Sequence, residues 1–159
     1  RSASIETGEG LVLRRGNLRV ELLGDRFWWV LNNSDLFLAM AGTAVEQAVG
    51  LGKPVLQLVG PGPQFTEGFA DAQRRLLGPG VSCAPGPMGA PSTLRGTAEM
   101  AVALLLRLAD PQEGPRWRHQ LESVALERLG RPGGTSRMAE AIMAKVDPRS
   151  SPADAPESR

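Results

Sequence analysis

The chain has 159 residues, 42% of them hydrophobic, and carries 18 Lys and Arg residues against 17 Asp and Glu residues. This length suits one domain with a core of ordinary size, and the hydrophobic fraction is typical of a soluble globular protein. The charge is balanced and dispersed, which argues against binding to nucleic acid or to anionic lipid. Cys83 is the single cysteine, so the chain has neither an intramolecular disulfide nor a cysteine-based metal site, and it fits a reducing compartment.

Short apolar runs alternate with amphipathic segments along the chain. Residues 11–22 predict two short strands with a tight connection at Gly16-Asn17, or one strand that leads into another. A helix over residues 26–33, capped by the side chain of Asp25, precedes a buried strand over residues 35–40. The remaining predicted elements are a helix over 43–51 ended by Gly52, a strand over 54–59, a helix over 64–77, a strand over 81–84, and helices over 93–109, 114–129 and 135–146.

This order of elements predicts one α/β domain over residues 1–146, with a Rossmann-like parallel sheet flanked by helices. The tail over residues 147–159 is rich in Pro, Ser and charge and is predicted to be disordered. In parallel sheets of this kind, ligands bind beyond the carboxyl ends of the strands. That rule points to two loops, at residues 41–43 and 60–64.

The loop at residues 41–43 is the more informative of the two. A strand ends at Met40, Gly42 allows close approach of the backbone, and a helix begins at Thr43. The free amides of that first turn, with the positive end of the helix dipole, predict an anion site that suits a diphosphate. Glu46, one turn into the helix, can accept hydrogen bonds from the two vicinal hydroxyls of a ribose. The same residues also fit an ordinary helix cap, with Glu46 as a capping-box partner or a solvated charge.

A longer set of motifs surrounds this turn. In chain order it comprises Asp35, the apolar run LFLAM, Ala41-Gly42-Thr43, Glu46, Gly52-Lys53-Pro54, the run VLQLV, Gln64, Asp71-Ala72 and Gly134-Thr135-Ser136-Arg137-Met138-Ala139. In order and spacing these motifs resemble the C-terminal domain of GT-B glycosyltransferases, above all lipid-A-disaccharide synthase and its bacterial relatives. The resemblance extends from about residue 18 to residue 146. It implies the GT-B C-terminal half of the α/β fold, which binds the nucleotide-sugar donor.

The resemblance assigns parts of a UDP-sugar to particular residues. The amides of Gly42 and Thr43 would hold the donor diphosphate, with the Thr43 hydroxyl assisting. Glu46 would bind the ribose hydroxyls, and the backbone near Leu23 and Gly24 would meet the uracil. The full-length enzyme would then transfer a hexosamine from the UDP carrier to a lipid-linked acceptor, without a metal or another cofactor.

The rest of the donor site and of the enzyme is implied less directly. Gln64, or its neighbour Glu67, would approach the donor sugar. The acceptor site and the catalytic base would come from an N-terminal domain, so we expect this chain by itself to complete no reaction. The resemblance further implies a cytoplasmic protein whose acceptor lies at the inner membrane, with no nucleic-acid partner.

Two other functions fit the same residues. A UDP-sugar 2-epimerase shares the fold and a similar Gly and Glu turn, but it needs no acceptor and interconverts free UDP-sugars. A non-catalytic binding domain would keep the fold without the chemistry, and replacing Glu46 by Ala would leave its function intact.

Aromatic and imidazole side chains supply weaker signals. His119, the only histidine, is predicted to lie on the surface or at a helix interface and not to be catalytic, because the sequence shows no catalytic partner residues around it. Phe27, Trp28 and Trp29 are adjacent and cannot share one helix face. At least one of them is therefore expected to be exposed or covered by a partner, for which the N-terminal domain is a candidate.

Overall fold

The computed structural model describes residues 4–7, 11–40, 42–60, 62 and 66–146. This part of the chain folds into two separate three-stranded sheets and six helices. In chain order the elements are β1 (Ser4–Thr7), β2 (Leu11–Arg15), β3 (Leu18–Leu22), α1 (Phe27–Asn33), β4 (Phe37–Ala39), α2 (Thr43–Gly50), β5 (Val55–Gln57), α3 (Glu67–Leu77), β6 (Val81–Cys83), α4 (Pro91–Ala109), α5 (Glu113–Leu129) and α6 (Gly134–Val146). The predicted tail over residues 147–159 lies outside the described residues.

A parallel sheet with the strand order β4-β5-β6 forms the centre of the fold. Phe37 pairs with Val55, and Val55 pairs with Val81. Consecutive parallel strands need a crossover, and α2 and α3 supply the two crossovers here. The prediction of an α/β fold with a parallel sheet flanked by helices is therefore confirmed.

The main core lies on the sheet face that carries Phe37, Val55 and Val81. Side chains from three helices pack against it, namely Leu31 of α1, Val45, Ala48 and Val49 of α2, and Leu77 of α3. Leu56 points to the opposite face, because successive strand residues alternate, and it is fully buried where α4 packs against β5. A second cluster of Leu104, Leu108, Trp117 and Leu121 joins α4 to α5. Helices thus cover both faces of the central strand.

The turn after α2 has the glycine cap that the sequence predicts. Gly52 has a φ of 66°, and the N–H groups of Gly52 and Lys53 donate back to carbonyls in the last turn of α2. A Cβ at Gly52 would lie 3.2 Å from the backbone nitrogen of Glu122, so this glycine also lets α5 pack closely. The Lys53 Nζ donates to the carbonyl oxygens of Asn32 and Ser34, at 2.7 and 2.6 Å. The lysine therefore fastens the end of α1 to the start of β5.

The N-terminal strands form an antiparallel sheet of their own. The predicted hairpin is confirmed, since β2 pairs with β3 and Gly16 occupies the turn with a φ of 61°. Apolar side chains of β3, including Leu18, Val20 and Leu22, remain exposed. This sheet therefore contributes little to the core of the described structure.

The predicted cap of α1 is wrong. The helix begins at Phe27, with Arg26 in the cap position and no side-chain hydrogen bond to the first turn. Asp25 instead adopts a left-handed backbone conformation, with a φ of 51°, which aspartate tolerates better than most residues. The turn from β3 into α1 thus uses the backbone of Asp25 rather than its carboxylate.

None of the helices in the described ranges is long and apolar enough to cross a membrane.

Candidate functional site

Gly42 forms the turn between the edge strand β4 and helix α2. Its φ of 137° and ψ of −172° belong to a region that is open essentially only to glycine, because a side chain there collides with its own backbone. Apart from the two chain neighbours of Gly42, no described residue has an atom within 4 Å of a Cβ built on it. The turn therefore requires glycine for its backbone conformation, and not to avoid a collision with another described residue.

The first turn of α2 presents unpaired amides at the carboxyl end of the sheet. The cap residue is Gly42, and no side chain of the described residues caps this helix. Val45 donates its N–H to the Gly42 carbonyl at 3.0 Å, whereas the N–H groups of Thr43 and Ala44 donate to no other residue in the described part of the chain. Such amides, together with the helix dipole of about +0.5 elementary charge, attract an anion. The predicted anion site is thus geometrically open.

Glu46 lies on the same helix face as Thr43, and both side chains are exposed. The capping-box interpretation of Glu46 is wrong for two reasons. The cap residue is Gly42, which has no side chain to share in such a box, and Glu46 is the fourth helical residue rather than the third. The carboxylate is therefore free of a capping role and faces solvent beside the open amides.

Two buried glutamines lie behind the turn. Gln57, the last residue of β5, is 1% exposed, and its Nε2 donates to the Oε1 of Gln73 on α3 at 2.5 Å. Gln73 is 7% exposed, and its Nε2 donates to the carbonyl oxygen of Gly42 at 3.3 Å. Because that carbonyl can only accept, it fixes the orientation of both side-chain amides. A hydrogen-bonded chain thus links β5, α3 and the turn after β4.

Neither glutamine belongs to the site residues predicted from the sequence. The signal for Gln57 was a polar residue inside the apolar run PVLQLV, where a strand residue is expected to be buried. The Oε1 of Gln57 has no hydrogen-bond partner among the described residues. A buried acceptor left unpaired costs about 1–3 kcal/mol of stability. The pair is thus expected to lower the stability of an otherwise apolar region.

A cavity of about 210 Å³ lies between α3 and the carboxyl end of β6. Its lining residues are Ala70, Asp71, Arg74, Cys83, Ala84 and Pro85. The Arg74 Nη2 donates to Asp71 at 2.6 Å, and this hydrogen bond, helped by the charge of Arg75, lowers the pKa of the Asp71 carboxyl. The cavity therefore combines an ion pair with small apolar side chains, at the edge of the sheet that also carries Gly42.

The structure groups three of the seven predicted site residues. Gly42, Thr43 and Glu46 come together at the start of α2. Leu23 and Gly24 are exposed and follow β3 of the other sheet, and no hydrogen bond joins them to α2 within the described ranges. Gln64 lies outside the described residues. Glu67 is the first residue of α3, which follows the capping hydroxyl of Thr66.

The remaining sequence expectations concern surface residues. His119 is exposed, as predicted. Phe27, Trp28 and Trp29 are 41%, 59% and 55% exposed, which confirms that they do not share one buried face. Phe27 contacts Trp28 and Phe37 edge-on, at centroid distances of 6.1 and 6.3 Å. Across the described residues, no group of three or more His, Cys, Asp or Glu side chains is placed to hold a metal ion.

Comparison with known proteins finds no matching family model, no matching curated protein and no matching solved structure. The structure by itself defines an α/β protein with a parallel sheet flanked by helices. In the described residues, an uncapped helix N-terminus lies at the edge of the sheet where the strands have their carboxyl ends.

Proposed function

We propose that this chain is the donor-binding part of a GT-B glycosyltransferase related to lipid-A-disaccharide synthase, and that it binds a UDP-sugar at the start of α2. The observation that carries the proposal is the turn at Gly42. This turn has a backbone conformation that only glycine readily adopts, and it is followed by amides that no side chain in the described part of the chain caps. The turn lies at the carboxyl ends of the strands of a parallel sheet, and folds of this kind bind nucleotides at that edge.

The diphosphate would bind to the N–H groups of Gly42 and Thr43, which the resemblance assigns to it, and to that of Ala44. These groups lie at the positive end of the helix dipole, so they would hold a dianion without a metal. In the transfer step an acceptor hydroxyl would give its proton to the catalytic base and attack the anomeric carbon of the sugar, while the bond from that carbon to the diphosphate oxygen breaks and UDP leaves with the electron pair of that bond. The same amides would stabilise the negative charge that develops on the leaving diphosphate.

The ribose would lie along α2, next to the diphosphate. Glu46 is three residues beyond Thr43 on the same helix face, which corresponds to a rise of about 4.5 Å. A carboxylate at this distance from the helix end suits the vicinal hydroxyls of a ribose attached to the bound phosphates. The exposure of Glu46 supports this role, because the side chain is not used in packing.

The other contacts of the donor come from the resemblance alone. Leu23 and Gly24 would meet the uracil, and Gln64 or Glu67 would approach the sugar. The acceptor, a lipid-linked sugar, and the catalytic base would belong to an N-terminal domain. The chain would therefore bind donor without transferring it.

The test is calorimetric titration of the chain with UDP and with the 2′-deoxy analogue of UDP. We expect UDP to bind and Glu46→Gln to weaken it about tenfold, because one hydrogen-bonding carboxylate is lost. The deoxy analogue keeps only one of the two hydroxyls that would donate to Glu46, so Glu46→Gln should weaken its binding less than it weakens the binding of UDP. Glu99→Gln, which changes another exposed glutamate on α4, is the matched control and should bind UDP normally. Absence of heat at millimolar UDP, or equal UDP affinity of Glu46→Gln and the unchanged chain, would contradict the proposal.

A further inference from the structure

The Gln57–Gln73 pair lies in a buried region where apolar side chains are expected to give equal or greater stability. Its neighbours along the same elements, Val55, Ala70 and Leu77, are buried and apolar. The Oε1 of Gln57 has no partner among the described residues, so the pair is an incomplete polar network. Replacing both members of such a pair by apolar groups of similar shape is often neutral or stabilising. Stability alone therefore does not account for these glutamines.

The contact of Gln73 with Gly42 has a directional consequence. The Gly42 carbonyl and the Thr43 N–H belong to one peptide unit, and in a trans peptide they point in opposite directions. Gln73 holds the carbonyl toward the interior. The Thr43 N–H is thereby directed away from the interior, toward the open side of the turn.

We propose that Gln57 and Gln73 are positioning residues for the diphosphate site. This inference rests on the proposed function, because it concerns the same amides. Gln73 would fix the Gly42–Thr43 peptide, and Gln57 would hold the Gln73 side chain in the orientation that donates to Gly42. Both side chains are more than nine-tenths buried, so they act on the ligand through the peptide and not by contact.

Gly42 needs such a support because its backbone is otherwise weakly restrained. Glycine has no side chain to limit the rotation of its backbone. Without Gln73, only the N–H of Val45 holds the Gly42 carbonyl. Rotation of this peptide would turn a carbonyl oxygen toward the diphosphate and withdraw the Thr43 N–H from it.

The experiment compares Gln73→Leu, the double variant Gln57→Leu/Gln73→Leu and the control Gln120→Leu, which makes the same change at an exposed position of α5. Three quantities are measured in the complete chain: the dissociation constant for UDP, the urea midpoint of unfolding, and the position of the Thr43 amide signal in nitrogen–proton correlation NMR spectra. We expect both variants that lack Gln73 to bind UDP at least tenfold more weakly and to displace the Thr43 signal. We expect the double variant to keep the urea midpoint of the unchanged chain or to exceed it.

The outcomes separate this inference from the proposed function. If the unchanged chain and the double variant bind UDP equally well, the positioning role is overturned while the proposed function stands. If the unchanged chain does not bind UDP, the proposed function fails, and the Thr43 signal alone decides the role of the glutamines. A signal displaced in both variants but not in Gln120→Leu supports the positioning role, and a signal that stays in place overturns it.

Discussion

Replacing Gly42 by alanine tests the backbone argument directly. Apart from the two chain neighbours of Gly42, no described residue has an atom within 4 Å of a Cβ at this position, so the substitution introduces no collision with the described residues around the turn. Its whole cost comes from holding an L-residue at a φ of 137°, for which about 1–3 kcal/mol is expected. Gly96 on α4 is a matched control, since a Cβ there is equally free of neighbours but the backbone is helical. Gly96→Ala should stabilise the chain by about 0.5–1 kcal/mol.

Urea unfolding followed by circular dichroism measures both changes. The two alanine variants should shift the midpoint in opposite directions with an unchanged slope. For a chain of this size, each kcal/mol corresponds to a change in Tm of about 2–4 °C. Relaxation of the turn to a negative φ would recover stability but move the Thr43 amide, and it would then appear as weaker UDP binding. A Gly42→Ala variant that keeps both the stability and the UDP affinity of the unchanged chain would refute the reasoning.

Further predictions concern the core, a cross-element clamp and pH. Leu31→Ala should cost about 2–5 kcal/mol in urea unfolding, because Leu31 is fully buried, whereas the exposed Leu106→Ala should change stability by less than about 0.5 kcal/mol. Lys53→Met should increase amide hydrogen exchange in α1, since the helix end loses two hydrogen bonds; unchanged exchange would argue against the clamp. The carboxylate of Asp110 accepts hydrogen bonds from the backbone N–H groups of Glu113 and Gln112, and these bonds lower the pKa of Asp110. The Asp110 carboxylate therefore stabilises the fold at pH values above its unfolded pKa of about 4. Asp110→Ala should have a lower free energy of unfolding than the unchanged chain at neutral pH, and this difference should vanish as the pH falls through the lower pKa of the folded state.

Much of the fold follows from local patterns in the sequence. Apolar runs predict β4 and β5, and Gly52 predicts the end of α2, because a left-handed cap is set by a few adjacent residues. The strands are shorter than the runs that predict them. Met40 and Leu58 extend the apolar pattern but are exposed and lie beyond the paired residues. Hydrophobic pattern thus locates a strand more accurately than it locates its ends.

The site is only partly predictable because its supporting contacts are distant in sequence. Gly42, Thr43 and Glu46 are found from one continuous motif. Gln57 and Gln73 are 16 residues apart, and Gln73 is 31 residues from Gly42, so nothing local connects them. The cap expected from Asp25 fails for a related reason, since the path of the chain from β3 into α1 decides its backbone conformation.

Within the described ranges β4 lies at one margin of the parallel sheet and pairs only with β5. A further strand laid parallel to β4 would end at the same rim of the sheet as Gly42. The loop that follows such a strand would then lie beside the α2 amides. Extending the sheet at this margin would therefore also narrow the access to those amides.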